Sequence, residues 1–282
     1  MPPGGSMDWE RALVEDVAPR TSRPARAMDG LDARHLLGEE ALVGLDLLAG
    51  PDADPCAGSR WGGRTMEPAV RGAVARARTA LGFDQRNSLV RVRLEVRLEV
   101  DRRGACRVVE QRTTWRAVVD AVECFPVATL LSALPAAPLP PGERPAVAVE
   151  ALRGCTLGPS YVDLGEGLSA TALTFPGPLA LGQEATTAHR VRVPSPSHEL
   201  PAPSPQPAER AVRGCYEQQL LGPVGQVCVQ VVTDPQAVPL AGEVHLRTRA
   251  GQRVEPFVLG EGSLAWSGEM PEPGELLTRW CW

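Results

Sequence analysis

Residues Val90 to Val100 read Val-Arg-Val-Arg-Leu-Glu-Val-Arg-Leu-Glu-Val, with an apolar side chain at every even position and a charged one at every odd position. A period of two marks an extended strand, whose successive side chains point to opposite faces. The reading puts six aliphatic residues on one buried face and Arg91, Arg93, Glu95, Arg97 and Glu99 on a wet one. A strand solvated on one side belongs to an antiparallel sheet, because the doubly covered strands of parallel sheets are continuous apolar runs.

Working outward, Asp101-Arg102-Arg103-Gly104 is a short loop in which Gly104 can take the left-handed conformation, and Ala105 to Thr113 returns as the hairpin partner. Upstream, Thr65 can cap a helix, Pro68 suits its first turn, and Val70, Ala73, Val74, Ala77 and Leu81 form one stripe before Gly82 ends it. Downstream, Val118, Val122 and Phe125 have helical spacing up to Pro126, as do Val127, Leu130, Leu131 and Leu134 up to Pro135. Shorter strands are expected at Ala146 to Leu152, Leu168 to Phe175 and Thr186 to Val193.

The first 65 residues read as a loosely packed helical segment: Trp9, Leu13 and Val17 recur at helical spacing, as do Leu37, Ala41, Leu45 and Leu48. Residues 194–207 hold six prolines, form no ladder and read as a stiff linker. After it, Ala208, Val212, Tyr216 and Leu220 recur every four residues with Gly222 behind them, which predicts another helix. Strands follow at Gly225 to Thr233, Gly242 to Arg249, Val254 to Leu259, Ser263 to Ser267 and Glu275 to Trp282.

Two short repeats suggest reused designs. Ala69-Val70-Arg71-Gly72 recurs as Ala211-Val212-Arg213-Gly214, and Leu164-Gly165-Glu166-Gly167 recurs as Leu259-Gly260-Glu261-Gly262. The expected fold class is therefore α+β: two units, residues 66–193 and 208–282, each a helix packed on an antiparallel sheet, preceded by the helical segment 1–65. A mainly β sandwich is the alternative.

Composition excludes several chemistries. All 29 basic residues are arginine, so no lysine Schiff base or phosphate-loop lysine is possible. The seven cysteines are odd in number and never spaced Cys-x-x-Cys, against a zinc site or a full disulfide framework. The N-terminal residues carry no secretory signal pattern and no apolar run could span a membrane, so a cytoplasmic protein without membrane contact is expected.

The glycine turns at Gly165 and Gly260 read Gly-x-Gly-x-x-Ala, but no helix follows either to hold a pyrophosphate. His35, His189, His198 and His245 are far apart, and no metal or nucleophile motif accompanies them. No catalytic, cofactor-binding or metal-binding residue is assigned, and no cofactor is expected. Two groups of residues could bind. Fourteen arginines against six acids between Arg60 and Arg116 make a basic segment, in which Arg71, Arg76, Arg78, Arg91, Arg93 and Arg97 could meet nucleic acid. Trp280 and Trp282 lie two apart in the last expected strand, with Trp266 in the strand before, and could form an aromatic platform for a sugar or peptide.

The run Ala211-Val212-Arg213-Gly214-Cys215-Tyr216-Glu217 followed by Gly225-Gln226-Val227-Cys228-Val229 resembles the opening of the TonB-like carboxyl-terminal domains of myxobacterial multidomain proteins. Residues 67–134 are similar in outline. There Val122-Glu123-Cys124 would stand in the family's second helix, while Ala73 replaces the cysteine expected in its first. The resemblance implies a small α+β module that binds other proteins and has no catalytic residues to carry over. The functional expectation is a non-catalytic protein-interaction module; a nucleic-acid-binding regulator and a small hydrolase or sugar-binding module are the alternatives.

Overall fold

The computed structural model describes residues 41–45, 60–61, 64–65, 68–83, 88–101, 106–132, 147–163, 167–193, 213–220, 222–233, 241–248, 250–260 and 262–281. In chain order these form β1 (Ala41–Leu45), β2 (Arg60–Trp61), β3 (Arg64–Thr65), α1 (Pro68–Leu81), β4 (Leu89–Val100), β5 (Cys106–Ala117), β6 (Val122–Ser132), β7 (Ala148–Arg153), β8 (Thr156–Asp163) and β9 (Leu168–Leu179). Then follow β10 (Glu184–Arg192), β11 (Arg213–Leu220), β12 (Val224–Thr233), β13 (Ala241–Thr248), β14 (Gly251–Pro256), β15 (Val258–Gly260), β16 (Ser263–Met270) and β17 (Gly274–Cys281).

Two large sheets pack face to face. One runs β14-β13-β17-β11-β1-β6-β9-β8 and the other β15-β16-β12-β4-β5-β10-β7. A single apolar core joins them, with Leu94, Val96, Leu98, Val229 and Val231 of the second sheet against Leu173, Val244, Leu276 and Trp280 of the first. The α+β expectation is thereby corrected. Among the described residues there is one helix and the protein is mostly β, nearer the sandwich alternative.

The strand that opened the reading is β4, and it pairs antiparallel with β5 from Leu89↔Ala117 to Val100↔Cys106. On its other side it pairs parallel with β12, and β1 pairs parallel with β11. The sheets are therefore mixed. At both parallel seams a strand from before residue 194 meets one from after residue 207, so the two expected units share both sheets.

Two expected helices are strands for one physical reason. Residues spaced by four lie on one face of a helix, but four is also a multiple of two, so Tyr216 and Leu220 share one face of a strand equally well. In β11 both are buried, and the alternation through Gln218 points all three toward the facing sheet. The same ambiguity misplaces Ala41 and Leu45, which belong to β1 rather than to a helical amino-terminal segment. Residues Val122 to Ser132 form β6, with Phe125 and Val127 in the main core. Pro126 is tolerated inside β6 because the pairing with β1 stops at Ala128, leaving Pro126 with a strand, β9, on one side only. Neither segment carrying the TonB-like resemblance after residue 117 is helical. The rest of the helical pattern expected over residues 1–40 and the proline-rich 194–207 lie outside the described residues.

The helix α1 is where the sequence places it, and Gly82 follows it with φ of 75°. Ala73, Ala77 and Leu81 pack on Ala128 and Leu130 of β6 and on Leu168 and Ala170 of β9, covering the outer face of the first sheet there. Gly167 and Gly262, the last residues of one sequence repeat, both have φ of 72° immediately before β9 and β16.

Candidate functional site

The strict alternation of β4 hides a bulge. Arg91 stands opposite Trp115 and Arg93 opposite Thr114, so Val92 is an extra residue and the sense of the alternation reverses across it. Downstream, Leu94, Val96, Leu98 and Val100 face the core. Upstream, Leu89 does, and Arg91 turns inward with it: its guanidinium lies 4.8 Å from the centre of the Trp115 ring.

Arg91 reaches a small cavity between the two sheets, near the end of β1, with a volume of about 20 Å³, room for about one water molecule. Trp115 on its wall is fixed by donating from Nε1 to Thr187 Oγ1 at 2.9 Å. Two residues along β10, His189 faces the same space with its ring 6.3 Å from that of Phe125. His189 is 2% exposed, and neither ring nitrogen has a hydrogen-bond partner. Burial and the charge of Arg91 push its pKa down to about 4, so the ring is neutral at physiological pH.

Opposite, three polar side chains satisfy one another. Gln111 Nε2 donates to Tyr216 Oη at 2.8 Å and to Gln218 Oε1 at 2.7 Å, and the Tyr216 hydroxyl donates to Gln218 Oε1 at 2.7 Å. Gln218 Nε2 in turn donates to the Gln219 carbonyl at 3.0 Å. The close approach requires Gly44, since any side chain there would strike the Gln218 amide. Burial holds the Tyr216 hydroxyl far above the ordinary phenol range.

A second concentration of titratable groups lies on the outer face of the first sheet. His245 Nε2 is 2.5 Å from Glu243 Oε1, and its Nδ1 is 2.8 Å from Gln252 Nε2. With Gln252 donating, the ring presents Nε2–H to the carboxylate. Burial lowers the His245 pKa although Glu243 opposes this. Beside it Glu217, 5% exposed, is pushed up to about 8 by burial and then by the charge of Glu275, against the pull of Arg247 and Arg279. This His245–carboxylate pair has both ring nitrogens engaged, which leaves none to activate a nucleophile. Among the described residues no group of His, Cys, Asp or Glu could hold a metal ion.

The arginines singled out from sequence do not come together. Arg76 binds Asp163 at 2.7 Å and Tyr161 at 3.2 Å, and Arg78 donates to the Phe83 carbonyl at 3.1 Å. Arg93 pairs with Glu95 at 2.6 Å and Arg97 with Glu99 at 3.7 Å on the outer face of the second sheet, where Arg190 also meets Glu110 at 2.9 Å. Arg91 is inside, and the side chain of Arg71 lies outside the described residues. Of these six arginines, Arg76, Arg93 and Arg97 are paired with acids.

The aromatic platform is likewise corrected. Trp280 is 0% exposed and Trp266 is 6% exposed, with Trp266 Nε1 donating to Glu255 Oε2 at 2.7 Å. Inward-facing positions of both sheets take the largest side chains because the core between them must be filled. Trp282, His35 and His198 lie outside the described residues. Sequence reasoning singled out Arg91, as a nucleic-acid contact, but missed Gln111, Trp115, Thr129, Tyr216 and Gln218 beside it; only the arginine at an apparently wet position could have signalled them.

Fold and site together define a mixed-sheet β-sandwich with a polar cavity in its core. No family model matches the chain, and no curated protein matches it. Among solved structures it is similar to a variant of a two-domain M1 zinc metallopeptidase bound to L-arginine, at 12% identity and TM-score 0.33, covering 68% of this chain and 43% of that one. It is similar also to an M1 zinc metallopeptidase from Deinococcus radiodurans, at 13% identity and TM-score 0.32, covering 68% and 42% respectively. The chain thus spans less than half the length of either. Likeness at that level says nothing of what this chain does.

Proposed function

We propose that the chain is a non-catalytic protein-interaction module, acting in the cytoplasm and binding its partner along an edge of the sandwich. The observation that carries the reading is where six of the nine exposed large aliphatic side chains among the described residues fall, the other three, Val118, Val119 and Leu181, being in loops. Val254, Val258 and Leu259 stand on β14 and β15, consecutive in sequence and each at the margin of a different sheet. Leu152, Leu157 and Val162 stand on β7 and β8, which form the opposite margin. Edge strands with apolar side chains are the surface that proteins normally guard, and their use here suits the addition of a partner's strand. No described helix is long and apolar enough to cross a membrane.

The test is affinity capture from the native host with the wild-type chain and with a Val258→Asp/Leu259→Asp variant. A partner held by the wild type and lost from the variant, with melting temperature unchanged, supports the module. Capture indifferent to both substitutions overturns the edge, and substrate turnover abolished by one histidine or serine substitution overturns the non-catalytic reading.

A further inference from the structure

Among the described residues the two large sheets end in four edge strands, β14, β8, β15 and β7, and three of them are blunted. β15 is three residues long, the register of β7 on β10 shifts between Ala188 and His189, and β8 carries Pro159 and a shift against β9 between Leu157 and Ser160. Short edges, bulges and proline keep other chains from adding to a sheet. β14 pairs with β13 at six consecutive positions, from Thr248↔Gly251 to Glu243↔Pro256, without a shift, and its proline stands at the last of them. One position beyond, Phe257 N donates to the Gly242 carbonyl at 3.0 Å. Hydrogen-bonded and non-hydrogen-bonded pairs alternate along an antiparallel ladder, so Glu255, Arg253 and Gly251 direct their backbone groups at β13, whereas Pro256, Val254 and Gln252 direct theirs at the open edge.

We propose that a second copy of this chain adds antiparallel to β14 about a two-fold axis at Val254, which rests on the reading of the sandwich margin as a binding edge. The axis sets Arg253 opposite Glu255 of the second copy and Glu255 opposite its Arg253, so one symmetry element makes two opposite-charge pairs. Both are non-hydrogen-bonded positions, where opposed side chains are closest. The two charges are held ready at the edge: Arg253 Nε is 2.6 Å from Glu255 Oε1 of its own strand, and Glu255 Oε2 accepts from Trp266. Val254, 47% exposed, meets Val254 of the second copy with backbone bonds in both directions, and the Gln252 N–H reaches the Pro256 carbonyl. The return bond from Pro256 is missing, since proline has no N–H. An axis at Arg253 or at Glu255 would set like charges directly against each other, so the charge pattern selects Val254.

Sedimentation velocity of the full chain over a concentration series reads the association. The wild type should show a reversible equilibrium between monomer and dimer. Val254→Pro removes only an N–H that points away from β13, so it should stay folded and monomeric. Arg253→Glu sets like charges opposite each other at two places and should weaken association about tenfold. It carries the comparison alone if Val254→Pro fails to fold. A wild type that is monomeric at every concentration, or a dimer that these substitutions leave unchanged, overturns the proposal. Neither result decides the wider edge reading, which fails instead when capture of another protein is indifferent to Val258→Asp/Leu259→Asp.

Discussion

The guanidinium of Arg91 lies 4.8 Å over the ring of Trp115, inside a sandwich whose sequence places that arginine on the solvent side. One extra residue, Val92, makes the difference, because a bulge exchanges the two faces of a strand from that point on. The arginine is held where its charge acts on the interior.

That charge is felt at His189. Substituting Arg91→Met removes the second of the two causes that depress the His189 pKa and leaves the larger, burial, in place. The His189 pKa should therefore rise from about 4 yet stay below 6.5. Titration of its ring resonances by NMR measures this directly, and an unchanged value would show that the two groups do not interact.

His189 should also make the fold acid-sensitive. The folded state keeps the ring neutral down to about pH 4, while the unfolded chain takes up its proton near 6.5. Stabilisation from this group is complete above about pH 6.5 and lost as pH falls through about 4. His189→Leu should flatten the stability profile in that window by on the order of 2 kcal/mol, read from urea unfolding at a series of pH values.

Glu217 has the opposite sign. Its folded pKa of about 8 lies above the ordinary 4.5, so its contribution is complete below about pH 4.5 and lost as pH rises through about 8. Glu217→Gln keeps the shape without the charge and should stabilise the protein by on the order of 1–3 kcal/mol at pH 8.5, with little gain at pH 5. Equal effects at both pH values would mean that the carboxyl is charged throughout.

Ala121, between β5 and β6, has φ of 59°, a left-handed conformation that costs a residue with a Cβ about 1 kcal/mol. The position is exposed, so Ala121→Gly removes the strain without opening a cavity. The melting temperature should rise by a few degrees at most, and a fall would show that the extra freedom of glycine in the unfolded chain outweighs the relief.

At Gly242 a Cβ would meet Leu264 Cδ1 at 2.7 Å and Phe257 Cδ2 at 2.8 Å, both in the core, along with the Arg279 carbonyl at 3.0 Å. Gly242→Ala should therefore destabilise the fold by about 1–3 kcal/mol in chemical unfolding.

Local pattern was enough for much of this protein. The alternation of β4, the stripe and glycine end of α1, and the strands β12, β13, β16 and β17 are all written in short stretches, because each follows from the period of neighbouring side chains or from one glycine's φ, whereas the expected single strand Val254 to Leu259 is split between β14 and β15 in different sheets. What tertiary structure decided is which of two compatible periods wins: Tyr216 and Leu220 fit a helix and a strand alike, and only pairing with β1 and β17 selects the strand. The bulge at Val92 was equally hidden, since its register exists only against Trp115 and Thr114 across the ladder. Spacing along a chain fixes which residues share a face; whether that face looks inward depends on the strand lying beside it.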